Sequence, residues 1–263
     1  MEKADNPNNI LFSAKGIKKI FSGPYSGAPV FAALSGIDLD IYEGECLLIA
    51  GANGSGKTLL MQILAGLTEP TEGEILYRAK PIGSLKNSLR RSVGLVFQDP
   101  DSQILGETVE EDIRFGPENL KLGEDEIKKR TEESMAKLDL TEKRDFPARH
   151  LSGGEKRRLA VAGILAMGCE TIIMDEPFAN LDWPGVIQVL KIINTLKQEN
   201  KTVIILTHEL EKVLAHTDRL VILAYGKVKD SGETEAVLNR LDPCWGVRDP
   251  RMNYNSPRDC TWL

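Results

Sequence analysis

The sequence predicts an α/β protein built on a mainly parallel sheet. Three observations point that way. Short apolar runs recur along the chain, among them Cys46-Leu47-Leu48-Ile49-Ala50, Thr171-Ile172-Ile173-Met174 and Thr202-Val203-Ile204-Ile205-Leu206. Runs of that length suit strands buried on both faces. Stretches of helical periodicity separate them, which implies parallel strands with helices on both faces. Two blocks break the rhythm: residues 10–43 read as an N-terminal antiparallel β-subdomain, and residues from about 104 to 167 as a helical subdomain set between two strands of the core.

Residues 1–9 read as disordered. From 10 to 43 come short strands joined by turns, the clearest turn being Ser22-Gly23-Pro24-Tyr25-Ser26-Gly27. Ile37-Asp38-Leu39-Asp40-Ile41 alternates apolar with polar, as a half-exposed antiparallel strand does. The run Cys46 to Ala50 is a buried strand, and Leu59 to Ala65 a helix stopped by Gly66. Gly73 to Tyr77 and Ser92 to Phe97 are further strands. In the helical block Ile127, Thr131, Met135 and Leu138 share one face, with Glu and Lys between them. The strand Thr171 to Met174 follows, then a helix with Val186, Val189, Leu190, Ile193 and Leu196 on one side. A strand over Thr202 to Leu206, a short helix over Leu210 to Ala215 and a strand over Arg219 to Ala224 close the core. Residues 232–263 form a short polar, Pro-rich tail with one helix, Glu233 to Leu241, which leaves 1–231 as the principal domain; there is no internal repeat.

A chain of 263 residues buries a sizeable core. Its 41% hydrophobic and 27% charged content are ordinary for a globular protein, and its net charge of −6 offers nothing to nucleic-acid phosphates. No apolar run reaches the roughly 18–20 residues of a membrane span. The first nine residues lack the apolar core of a signal peptide. The four cysteines show no C-x-x-C spacing, and Cys46 and Cys169 read as small buried hydrophobes rather than parts of a disulfide framework or zinc site. These features predict a cytoplasmic chain whose membrane role, if any, runs through a partner.

Gly51-Ala52-Asn53-Gly54-Ser55-Gly56-Lys57-Thr58 fits G-x-x-x-x-G-K-[ST] between a strand and a helix. Backbone N–H groups of such a loop and the positive end of the helix converge on polyphosphate. Lys57 reaches β- and γ-phosphates and the Thr58 hydroxyl ligates magnesium. Asp175-Glu176 ends the strand from Thr171. If neighbouring strand residues face opposite ways, Asp175 can serve magnesium while Glu176 acts as general base on a water; taken alone, the pair is equally an acidic turn before Pro177. Leu151-Ser152-Gly153-Gly154-Glu155 contains a capping box. A cap has no need of two glycines, which cost helix stability and let bare backbone approach a ligand, so this helix start is a second anion site.

These pieces in order, namely the P-loop, Gln98 after a strand, L-S-G-G-E, Asp175-Glu176-Pro177, Asn180-Leu181-Asp182 and Thr207-His208, resemble the ABC-type ATPases over roughly residues 10–230. The resemblance implies a P-loop NTPase core and makes residues 1–231 the ATPase domain. It implies ATP and Mg²⁺ as cofactors, with Gln98 as the Q-loop glutamine on magnesium and the attacking water. Ser152, Gly153 and Gly154 would bind the γ-phosphate of ATP held by the opposite subunit. Asp182 would bridge the two sites, and His208 would contact the γ-phosphate. Phe21, with Tyr25 as second candidate, would stack on adenine. One departure is Leu59, where the family usually has Thr; a contact worth on the order of 1 kcal/mol is lost there.

Phe97-Gln98-Asp99-Pro100-Asp101-Ser102-Gln103 is similar to the F-Q-x-P-[DE]-x-Q segment of energy-coupling-factor ATPases, as are Glu45 to Leu48, Gly66 to Gly73 and Glu155 to Arg158. That similarity implies a motor for vitamin or cobalt/nickel uptake on the cytoplasmic face of the membrane. Its partners would be a second ATPase subunit, identical or paralogous, and a T-type membrane subunit docked near Asp99 to Gln103; a substrate-binding membrane subunit would take part indirectly. Other readings are an ordinary ABC importer or exporter, or a soluble ABC ATPase acting on DNA or ribosomes. The last would carry a coiled-coil insertion or two ATPase units, and this chain has neither pattern.

Overall fold

A computed structural model describes residues 9–22 and 31–251. The expected disorder at 1–9, the turn Ser22 to Gly27, Tyr25 and the end of the tail fall wholly or mostly outside these residues.

Two sheets stack through a shared core. The larger holds β3 (Cys46–Ala50), β6 (Val93–Val96), β7 (Thr171–Asp175), β8 (Thr202–Thr207), β9 (Arg219–Ala224) and β10 (Lys227–Glu233), in the order β10-β9-β3-β8-β7-β6. All neighbours pair parallel except β10, which returns antiparallel to β9. The smaller sheet is antiparallel, in the order β2-β1-β4-β5, from β1 (Ile10–Phe21), β2 (Phe31–Tyr42), β4 (Glu72–Tyr77) and β5 (Lys80–Pro81). Alternation along the buried strands splits their side chains between two cores. Leu47 and Ile49 face the small sheet and α1 (Lys57–Leu64); Cys46, Leu48 and Ala50 face the opposite side.

That opposite side is covered by α5 (Gly153–Met167), α6 (Trp183–Gln198) and α7 (Thr234–Leu238). With α3 (Val109–Asn119) and α4 (Glu124–Lys137), α5 makes up the helical block between β6 and β7; a further helix, α2 (Lys86–Ser92), precedes β6. Thr108 caps α3 and Ser152 caps α5, each in a complete capping box, while Pro117 lies within α3 near its end. Cys46 and Cys169 are buried, and burial pushes their thiols up to about 12 and about 11.

Four expectations need correction. Residues 10–42 form two twelve-residue strands rather than several short ones. Register shifts, one beside Gly16 at φ 60, interrupt the alternation there and make long strands read as pieces. Leu210 to Ala215 is not a helix but parts of two 3₁₀ turns, Leu210–Lys212 and Leu214–His216. The helix expected over Glu233 to Leu241 is confined to Thr234–Leu238. The strand Lys227–Glu233 has no sequence signal, because its exposed, charged residues carry no strong apolar face.

Candidate active site

The C-terminal ends of β3, β7 and β8 converge, and the candidate catalytic side chains hang from them. From Ala50 the chain enters the loop Gly51 to Gly56 and then α1. Gly56 takes φ 104 at the N-cap of α1, and a Cβ there would lie 2.6 Å from Leu34 Cδ2, so only glycine fits. The first turn of α1 has no side-chain cap and no acidic residue. Its N–H groups therefore remain available to an anion, whereas α5 and α6 each give one first-turn N–H to a side-chain cap, Ser152 and Asp182.

Lys57 is buried. Its Nζ donates to Gly51 O at 2.6 Å and Ala52 O at 3.3 Å, and lies 3.4 Å from Glu176 Oε1. Thr58 Oγ1 donates to Asp175 Oδ2 at 2.7 Å. Burial first, and then the neighbouring Glu176 charge, raise the Asp175 carboxyl against the Thr58 hydrogen bond. Its other oxygen, Oδ1, is buried with no hydrogen-bond partner, as is Ser55 Oγ. Orphaned polar atoms beside a lysine and a threonine hydroxyl fit a hydrated divalent cation with phosphates, a hard oxygen-ligand set. Leu59 packs instead into the apolar core between the sheets.

Glu176 does not continue the pleat of β7. It turns away at φ 45, held by its N–H donating to Leu206 O at 2.8 Å. This left-handed turn, rather than strand alternation, separates its carboxylate from that of Asp175. Glu176 Oε2 accepts from Thr207 Oγ1 at 2.8 Å and from the His208 N–H at 3.4 Å; Oε1 meets His208 Nδ1 at 3.0 Å. Burial raises the Glu176 carboxyl, but His208, Thr207 and Lys57 together bring it below its ordinary value. It is therefore ionised at neutral pH.

Gln98 follows β6 and is exposed. The backbone before it is pinned by Gln103, which accepts from Phe97 N at 2.7 Å and donates to Leu95 O at 2.8 Å. Asp99 caps the turn Pro100–Ser102. Asp101 pairs with Lys156 at 2.6 Å, so that acid already has a basic partner within its own chain. Phe21 is half-exposed at the end of β1, opposite Phe31, with Lys19 Nζ 5.7 Å from its ring centre.

Ser152, Gly153 and Gly154 open α5. Ser152 Oγ and N–H both donate to Glu155 Oε2 at 2.9 Å, and Lys143 holds the other Glu155 oxygen at 2.5 Å. Partial burial raises the Glu155 carboxyl, but Lys143 and Ser152 outweigh it and pull it to about 2. A Cβ on Gly153 would meet nothing closer than Arg157 at 3.7 Å, while one on Gly154 would sit 2.7 Å from Gln188 Oε1. Arg157, singled out in the sequence only as part of a subfamily motif, donates to Gly153 O at 3.4 Å and Ala179 O at 2.7 Å. It thereby ties α5 to the segment that leads to Asp182, whose Oδ1 accepts from Gly185 N at 3.0 Å. Among the described residues, no hydrogen bond or ion pair joins Ser152 to Gly154 with the loop Gly51 to Thr58.

Comparison with known proteins gives a consistent picture. Residues 34–179 match the family model described as ABC transporter. The energy-coupling factor transporter ATP-binding protein EcfA of Methanocaldococcus jannaschii is 40% identical over 80% of this chain and 77% of its own length. EcfA of Carboxydothermus hydrogenoformans is 40% identical over 79% of this chain and 77% of its own. Among solved structures, CbiO1 from Clostridium perfringens, part of the ABC transporter complex CbiONQ, superposes with a TM-score of 0.79 at 35% identity, covering 88% of this chain and 91% of that one. A dimeric ATP-binding cassette in a post-hydrolysis state, bound to ADP and phosphate, gives 0.73 at 26% identity, covering 85% of this chain and 98% of its own.

Proposed function

Because the chain belongs to the ABC transporter family and is an ATP hydrolase of that family, we propose that it is the ATP-binding motor of an uptake transporter of energy-coupling-factor type. The observation that carries the proposal is the convergence of Lys57, Thr58, Asp175, Glu176 and His208 at one sheet end, while Ser152 to Gly154 stand apart in the helical block. One chain supplies both halves of a phosphate site and closes neither on the other. Two subunits packed head to tail solve this, each presenting Ser152, Gly153 and Gly154 to the nucleotide on its partner's P-loop.

In that pair Lys57 holds the β- and γ-phosphates and the N–H groups of α1 receive their charge. Phe21 stacks on adenine. Magnesium, when bound, neutralises phosphate charge; Thr58, Asp175 and Gln98 are the side chains that would hold it. Glu176 accepts the proton of the water that attacks the γ-phosphorus, and His208, fixed by Glu176, reaches the γ-phosphate. Loss of phosphate removes the contacts that joined the pair, and the opening stroke is delivered to a membrane partner.

The likeness to EcfA and CbiO1 supports import of a vitamin or transition-metal ion, work at the cytoplasmic face of the membrane, and a T-type membrane subunit docked beside Asp99 to Gln103. No helix among the described residues is long and apolar enough to cross a membrane. Purification of the complex from native membranes tests the assignment. It should bring down a T-type subunit and a small substrate-binding membrane protein, and Asp101→Arg should weaken that association while sparing basal hydrolysis. Recovery of an exporter permease, or of no membrane protein, would overturn it.

A further inference from the structure

The segment after α7 returns to the P-loop. A 3₁₀ turn, Pro243–Trp245, begins at Asp242, which caps it by accepting from Cys244 N at 2.8 Å. Gly246 follows at φ 71, and a Cβ built on it would lie 3.3 Å from Ala52 Cβ, in the second position of the P-loop. Val247 is buried and Trp245 packs on the same apolar core. Arg251 donates to Leu238 O at 2.9 Å and Asn239 Oδ1 at 2.6 Å, fixing the chain beyond them.

A second element reaches the same loop from the sheet. Tyr225 and Gly226 join β9 to β10 in a two-residue turn with φ 54 and 69, the mirror-image turn that suits tight hairpins. Gly226 N donates to Ser55 O at 3.2 Å, and Gly226 O accepts from Ser35 N at 2.8 Å. Tyr225, although 74% exposed, donates its hydroxyl to Cys244 O at 3.1 Å. Hydrogen bonds and chain links run from Ala52 through Ser55, Gly226, Tyr225 and Cys244 to Gly246, which sits close beside Ala52 again. Along this path, Ala52 O accepts both Ser55 N at 3.1 Å and Lys57 Nζ at 3.3 Å. A shift of Ala52 therefore acts directly on the lysine that meets phosphate.

We propose that Tyr225 and the Cys244–Gly246 segment are positioning residues for nucleotide binding: they brace the P-loop at Ala52 and Ser55 in the shape that receives phosphate. Coupling of this kind is reciprocal. Bound nucleotide must tighten the tail by the same factor by which the tail tightens nucleotide.

The test uses the full chain with Tyr225→Phe, which keeps the ring and removes the hydroxyl, and Gly246→Ala, which sets a methyl group against Ala52. Binding of a fluorescent ATP analogue, steady-state kinetics and thermal melting are measured together, with hydrogen exchange of residues 243–247 with and without ATP. Tyr225→Phe should weaken nucleotide binding severalfold, up to about the tenfold ceiling that one net hydrogen bond sets, with kcat at saturating ATP unchanged and the melting temperature lowered by no more than a few degrees. Gly246→Ala should weaken binding at least as much, and ATP should slow exchange at 243–247 in the wild-type chain. Wild-type affinity in both variants, with exchange indifferent to ATP, would overturn the proposal. It rests on the nucleotide reading of the P-loop, and a wild-type chain that binds no ATP would overturn that reading instead.

Discussion

His208 Nδ1 lies 3.0 Å from Glu176 Oε1, although the two residues belong to different strand ends and stand 32 positions apart. Parallel pairing of β7 with β8 creates the contact: Asp175 pairs with Leu206, so the residues that follow, Glu176 and then Thr207 and His208, leave the sheet side by side. An ionised carboxylate can only accept, so His208 donates to Glu176 from Nδ1. The carboxylate proposed as general base is thus also the group that orients His208.

Glu176→Gln should therefore bind ATP like the wild-type chain and lose turnover by at least about a hundredfold, the scale of a general base. The amide still accepts from Thr207 but cannot take a proton from water. Single-turnover hydrolysis checks this, and a normal rate would remove Glu176 from the role.

Gly153→Ala separates a folding requirement from a binding requirement. Gly153 lies outside the left-handed region, and a Cβ there meets only ordinary contacts at 3.7 Å and beyond. Alanine should leave stability unchanged or raise it by up to about 1 kcal/mol through helix propensity. ATPase activity should nevertheless fall about tenfold or more if bare backbone at that position approaches phosphate. Melting and activity assays on one preparation decide it.

Glu155 gives a pH signature. Its carboxyl is held at about 2 in the folded chain, below the 4.5 of a free glutamate. A lowered folded value means that ionised Glu155 contributes its full stability above about pH 4.5 and loses it as pH falls toward 2. Glu155→Gln keeps the capping geometry without the charge. The stability advantage of wild type over this variant should be constant from pH 7 to about 5 and shrink steadily below, as read by denaturant unfolding at a series of pH values.

Much of the site was legible in the sequence because it sits where strands stop. Each buried strand is largely an apolar run, so the first residues that break it (Gly51, Gln98, Asp175, and Thr207 just before His208) mark one end of the sheet. Contacts made across the fold were less legible. Gln103 stands in a recognisable motif, but nothing in the sequence says that its side chain turns inward to hold Phe97 and Leu95. Asp101 reads as a free acid until Lys156, 55 positions away, is seen beside it. The return of Gly246 to Ala52 had no sequence signal either, since it depends on how the tail packs through Val247 and Trp245. The long strands of the small sheet look like fragments in the sequence because register shifts erase the two-residue period on which recognition relies.

The central claim is that each nucleotide is completed by the opposite subunit, and mixing two inactive variants tests it most directly. Lys57→Ala disables the P-loop but keeps Ser152 to Gly154 intact; Gly153→Asp keeps the P-loop and sets a negative charge where phosphate would lie. Each alone should hydrolyse no ATP. Mixed in equal amounts they should recover up to about a quarter of wild-type activity, because half the pairs are mixed and each mixed pair holds one intact composite site. A mixture as inactive as its components, from variants that melt like the wild-type chain and exchange subunits, would contradict the account.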